Sequence, residues 1–69
     1  MGQNRVDEAI EVFQLNTELH PTSANAYDSL GEGFLKKGDK ENALTNYRRA
    51  LELDPKMQTA AVAVRTLTQ

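Results

Sequence analysis

Residues 27–55 read YDSLGEGFLKKGDKENALTNYRRALELDP. Tyr27, Leu30, Gly31 and Phe34 recur at helical spacing, so they share one face of a first helix. Ala43, Tyr47 and Ala50 do the same on a second. Gly38 lies between the two runs, where a left-handed cap can end a helix without a Cβ penalty. Asp39 follows as a cap for the next helix, and Lys36 and Lys37 complement the negative end of the preceding dipole. Asp54-Pro55 closes the segment. The spacing therefore predicts two helices, from about Ala24 to Lys37 and from about Lys40 to Leu53, folded back on each other. Small residues at Gly31, Ala43 and Ala50 allow the two axes to approach closely. Gly33 costs about 1 kcal/mol in a helix interior relative to alanine, and the sequence gives no reason for it.

Outward toward the N-terminus, Asn4 is a candidate N-cap, with Asp7 and Glu8 near the positive end of the following dipole. Val6, Ala9, Ile10 and Phe13 form an apolar stripe. Pro21 ends this helix, because the residue before a proline disfavours the helical region. A shift of 34 residues places Asp7 on Glu41, Ala9 on Ala43, Ile10 on Leu44 and Phe13 on Tyr47, and brings Glu18-Leu19 and Pro21 onto Glu52-Leu53 and Pro55. Residues 5–19 thus read as the second helix of an earlier repeat. Asn16 departs from the pattern, standing where the later helix has Ala50. After the loop Pro21-Thr22-Ser23, Ser23 is a candidate cap. On the C-terminal side a fourth helix is expected from about Met57 to Leu67. Its Ala61 and Val64 lie 34 residues after Tyr27 and Leu30, while Arg65 and Thr68 replace the glycine and aromatic expected there.

The pattern Y-x2-L-G-x2-F, A-x3-Y, P over residues 24–57 resembles the tetratricopeptide repeat (TPR) family, whose 34-residue unit reads W-x2-L-G-x2-Y, A-x3-F, P. The resemblance implies an all-α fold, a right-handed stack of antiparallel helix hairpins. The chain is then one domain, 1–69, with a full repeat at 24–57, the second helix of another repeat at 5–19 and a capping helix at 58–69. It implies structural roles for Tyr27, Leu30, Gly31, Phe34, Ala43, Tyr47, Ala50 and Pro55, and for Ala9, Phe13 and Pro21 in the earlier unit. In that family the first helices of successive repeats line a groove that holds a peptide or a partner helix. The matching groove residues are Asn25, Asp28, Ser29, Glu32, Leu35 and Lys36, with Thr59 and Val62 from the fourth helix. Some members grip the acidic tail of chaperones with a clamp of Lys, Asn and Arg. Asp28 and Glu32 stand at the matching positions, which argues against such a clamp. A narrower likeness runs through EAIEVFQLNTELHPTSANAYDSLGEGFLKKGDKENALTNY, which is similar to the C-terminal TPR tail of some bacterial serine hydrolases of the beta-lactamase-like and esterase classes. No catalytic motif of those enzymes accompanies it. That likeness implies an accessory domain packed on a catalytic one.

Composition sets the outer bounds. With 69 residues and no cysteine, stability must come from helix packing. Mean hydropathy is −0.59, and no apolar run approaches the roughly 20 residues of a membrane span. The N-terminal segment has no apolar core of a signal peptide, and Val6 stands where a myristoylation signal needs Ser or Thr. Neither a membrane role nor a targeting signal is expected, which leaves the cytoplasm by default, or the periplasm for the tail of a secreted hydrolase. The net charge is −2, divided unevenly: residues 1–35 hold six acids and one base, residues 36–69 seven bases and four acids. That balance argues against nucleic acid.

Chemistry is sparse. His20 is the single histidine, it precedes a proline, and neither Ser23 nor Ser29 sits in a G-x-S-x-G turn. One histidine and no cysteine do not make a zinc site. Gly31-Glu32-Gly33 lies within a helix and lacks the Lys-Ser/Thr of a phosphate loop. Asp28 and Glu32, a turn apart, read as a solvated helix face. Tyr27, Phe34 and Tyr47 read as core. The expectation is a non-catalytic protein-interaction module with no cofactor and no metal, whose acidic groove favours basic or neutral partners. Self-association is also expected, as a closed dimer in preference to an open head-to-tail chain, because the outer helices carry apolar residues with no neighbour to cover them.

Overall fold

The computed structural model describes residues 5–69, so the cap expected at Asn4 lies outside the described residues. Four α-helices follow one another: α1 (Arg5–Leu19), α2 (Ala24–Lys37), α3 (Lys40–Leu53) and α4 (Gln58–Leu67). Each packs on the next in the chain, and the α2–α3 interface is the most extensive. The result is the all-α stack of helix hairpins expected from the sequence.

Local chemistry fixes the helix ends. Ser23 caps α2, its hydroxyl accepting from the Ala26 N–H at 3.2 Å. Gly38 ends the same helix at φ +88, a left-handed conformation that a side chain would strain. Its N–H donates to Leu35 O at 3.0 Å, and the next N–H, that of Asp39, reaches Phe34 O at 2.9 Å. Asp39 then caps α3 by accepting from Asn42 N–H at 3.2 Å and from its side-chain amide at 2.6 Å. Those bonds hold the Asp39 carboxyl below its usual range. The helix expected from Met57 begins one residue later. Met57 is extended and has no side chain to cap with, while its N–H turns back to Asp54 O at 3.0 Å.

The core is a single cluster of Ile10, Leu30, Phe34, Ala43, Tyr47, Ala50 and Ala60, with Val6, Phe13, Tyr27, Leu51, Met57 and Val64 packed partly buried around it. Ala43, Ala50 and Ala60 are fully buried, which lets neighbouring helices approach to backbone distance. Gly31 serves the same end. A Cβ placed on it would lie 3.1 Å from three atoms of the Tyr47 ring. Gly33, unexplained in the sequence, has a matching role on the other side of α2. A Cβ there would meet Ile10 Cγ1 at 3.1 Å and Phe13 Cδ2 at 3.3 Å, both on α1. The two glycines make α2 the thin central helix between α1 and α3.

Among the described residues, Thr17 is the buried polar one, and its hydroxyl donates to Gln14 O at 2.7 Å. A salt bridge between Lys37 Nζ and Asp7 Oδ1 at 2.8 Å joins the end of α2 to the start of α1. Both groups are half exposed, so solvent screening keeps its contribution to stability small.

Truncating the buried Tyr47 to alanine should cost about 3–5 kcal/mol. That is comparable to the whole stability of a domain this small, at about 0.05–0.15 kcal/mol per residue. Thermal or urea melts of Tyr47→Ala check it, and a normal melt would remove Tyr47 from the core. A finer comparison is Gly31→Ala against Gly33→Ala. Each gains about 1 kcal/mol of helix propensity, but at Gly31 the added Cβ meets three atoms of one rigid buried ring at 3.1 Å, whereas at Gly33 it meets one atom of the aliphatic Ile10 at 3.1 Å and the half-buried Phe13 at 3.3 Å. Gly31→Ala should therefore lower the melting temperature more than Gly33→Ala.

Candidate functional site

One long side of α2 carries Asn25, Asp28, Ser29, Glu32, Leu35 and Lys36, which a helical period of 3.6 places on a continuous strip. Asn25, Glu32, Leu35 and Lys36 are exposed; Asp28 and Ser29 are half-buried. The strip exists because the opposite side of α2 is taken up by Ala26, Leu30, Gly31, Gly33 and Phe34, all buried. Lys36 Nζ approaches Glu32 Oε2 at 3.9 Å across one turn. The Thr59 hydroxyl of α4 donates to Asp28 Oδ1 at 3.2 Å, a contact spanning 31 residues. This bond brings α4 up to the strip, with Val62, 57% exposed, on the same helix.

Burial pushes the Asp28 carboxyl up. Its bond from Thr59 opposes that, and the nearby Glu32 carboxylate adds to it. The Tyr47 phenol is likewise raised, by burial first and then by the Asp28 and Glu32 carboxylates. The strip is thus acidic, with a ring of the core directly behind it. On the side of α2 away from α4, a cleft of about 230 Å³ opens between α1 and α2. Val6, Ala9, Phe13 and Gly33 supply its apolar lining, and Arg5, Glu32 and Lys36 supply charge.

Of the residues assigned to a groove from the sequence, Asp28 and Thr59 touch directly. Glu32 and Lys36 lie on the α1 side, at the cleft. The cleft itself was missed, though the sequence held one signal for it: a glycine at 33 with no evident purpose. The residues assigned structural roles divide by exposure. Leu30, Gly31, Phe34, Ala43, Tyr47 and Ala50 are buried, Ala9, Phe13 and Tyr27 are half-buried, and Pro21 and Pro55 are exposed in their loops. Tyr27 is capped by the guanidinium of Arg49, 5.7 Å from its ring centre, a distance at which a cation is attracted to the ring face.

Among the described residues, no serine is paired with the histidine as a nucleophile. The Ser23 hydroxyl is engaged as a helix cap, Ser29 is on α2, and His20 is exposed in the loop after α1. Among the described residues, no group of three or more His, Cys, Asp or Glu side chains is placed to hold a metal ion. None of the described helices is long and apolar enough to cross a membrane.

Residues 24–57, the α2–α3 hairpin and the loop that follows it, match the tetratricopeptide repeat family. The chain is also similar to cellulose synthase operon protein C of Escherichia coli strain K12 and to a putative cellulose synthase operon protein C of Escherichia coli O157:H7. Identity is 38% over 48 residues in each case, covering 70% of this chain. The match spans 4% of the length of either relative. The likeness to hydrolase tails draws no support from these relatives.

The raised Asp28 carboxyl makes a pH prediction. A carboxyl whose folded pKa lies above its unfolded value binds more protons in the folded state, so stability falls as pH rises from about 3.8 through the folded value. Asp28→Asn keeps an oxygen to accept from Thr59 and removes the ionisation. It should raise the melting temperature at pH 7, and this gain should shrink toward zero at pH 3. Melts of both proteins across that range check the sign.

Proposed function

We propose that the chain is a non-catalytic interaction module that binds an extended peptide or a partner helix along the α2 strip. In this reading residues 24–57 are the full repeat, residues 5–19 act as the second helix of a neighbouring unit, and residues 58–69 act as a capping helix. The observation that carries the proposal is the pairing of an acidic strip with an apolar cleft on one helix. Glu32 and Lys36 belong to both. An apolar side chain of the partner enters between Val6, Ala9 and Phe13, while its backbone runs past Glu32 and Asp28 toward Thr59 and Val62.

Charge sets the partner class. Asp28 and Glu32 favour a basic or neutral partner, and disfavour both phosphate backbones and acidic peptide tails. The exposed Leu35, together with Val62, adds apolar contact without a deep pocket. Affinity from so small a surface is modest and salt-dependent, because charges separated by more than about 8 Å are screened at physiological ionic strength. The match of residues 24–57 to the tetratricopeptide repeat family supports a role in binding protein. The relatives are far longer than this chain, and their own activity is not carried over to it.

Two short extended peptides test the proposal by amide chemical-shift mapping, one alternating leucine with lysine and one alternating leucine with glutamate. The lysine peptide should perturb Asp28, Glu32, Leu35 and Val62, and the glutamate peptide should not. Glu32→Lys should weaken the lysine peptide about tenfold and leave the melting temperature near its original value, since Glu32 is exposed. Equal binding of both peptides, or shifts confined to α3, would sink the reading.

A further inference from the structure

We infer that the outer edge of α1 is a docking surface for α4 of a second copy of this chain, giving a head-to-tail joint. Among the described residues, three of the five exposed large hydrophobics lie on α1: Val12 at 63%, Leu15 at 55% and Leu19 at 65%. With Phe13 and Asn16 they line a second apolar cleft of about 280 Å³, formed by α1 alone.

The 34-residue register says what shape of occupant fits there. Phe13 and Leu15 correspond to Tyr47 and Arg49 of α3. In α3 the buried Tyr47 ring lies against Gly31 of α2, and the exposed Arg49 reaches across to lie over the Tyr27 ring. The open edge of α1 is therefore the edge that a helix in the position of α2 covers. Within this chain the helix that repeats the register of α2 is α4, where Ala61, Val64, Arg65 and Thr68 replace Tyr27, Leu30, Gly31 and Phe34. Ala61 and Val64 are half-buried, and Arg65 and Thr68 are exposed. Placing α4 of one copy on α1 of the next sets Leu15 on Ala61 and Phe13 beside Arg65.

Charge selects this pairing over a contact between two α1 edges. Glu8, Glu11 and Glu18 are exposed along α1, so two α1 helices side by side bring like charges together. The helix α4 contains no acid; Arg65 is its charged residue, and Lys56 stands in the loop before it. Arg65 also limits the joint. It stands in the register position of Gly31, where even a Cβ would come within 3.1 Å of the Tyr47 ring, so as close an approach is not available and the guanidinium lies near the Phe13 ring instead. The contact is looser than the α2–α3 interface inside the chain. Because it joins two different surfaces, it does not close as a dimer, and its mass grows with concentration. The α2 strip takes no part in it.

Sedimentation with two exposed-site variants tests the joint. Leu15→Lys spoils the α1 edge and keeps α4. Arg65→Glu spoils α4 and keeps the α1 edge. Circular dichroism melts first establish that both remain folded. The wild-type chain should show a mass that rises with concentration up to about 10⁻⁴ M. Each variant alone should stay monomeric, and an equimolar mixture should recover a one-to-one dimer, because each variant still offers one sound surface. A wild-type chain that stays monomeric overturns the inference. So does Arg65→Glu associating like wild type while Leu15→Lys does not, the signature of two α1 edges meeting. A mixture that fails to associate overturns it as well.

Discussion

The close contact between Gly31 and the Tyr47 ring is the constraint on which the rest of the structure depends. It sets the distance between α2 and α3, because any side chain at 31 pushes the ring away by tenths of an ångström. That distance decides whether Ala43 and Ala50 are sealed from water. It also decides whether Asp28, one turn earlier on α2, can be reached by Thr59 of α4. A helix pair held at this spacing needs little volume in its core, which suits a chain of 69 residues. The cost is that the core contains few large side chains, so each of Tyr47, Phe34 and Leu30 carries a large share of the apolar burial.

Crowding by glycine on both sides of α2 has a second effect. It leaves the third side of that helix, the strip from Asn25 to Lys36, free of packing duties. Polar and charged residues there do not disturb the core, yet they are held rigidly over it. Asp28 illustrates the balance: its bond from Thr59 favours the ionised form, and burial with Glu32 nearby opposes it, with burial the larger effect. A rigid acidic strip beside an apolar cleft is a surface that can discriminate partners by charge while taking affinity from apolar contact.

The two outer helices show how a stacked fold treats helices with fewer neighbours. In α3, Ala43, Tyr47 and Ala50 are all buried beneath α2. Their counterparts on α1, Ala9, Phe13 and Asn16, are half-buried, half-buried and exposed, because α2 covers the adjacent face of α1 instead. The residues of α1 that do enter the core are Ile10 and Thr17. The register equates them with Leu44 and Leu51, which are half-buried on α3. Equivalent positions in sequence therefore meet different environments, and the difference follows from which side has a neighbour.

By itself the sequence determined the helices, their caps and the hairpin register. These rest on interactions between residues three or four apart and on a 34-residue spacing that can be read directly: Ser23, Gly38 and Asp39 at helix ends, Gly31 at a close helix approach, Phe34 facing inward. Only the tertiary structure decided what depends on residues distant in the chain. It gave Gly33 its purpose against Ile10 and Phe13, joined Asp7 to Lys37 and Thr59 to Asp28, opened the cleft beneath Arg5, and left Val12, Leu15 and Leu19 in solvent. An apolar residue on a helix advertises burial, but whether it is buried depends on whether another helix arrives on that side, and helical spacing carries no information about that.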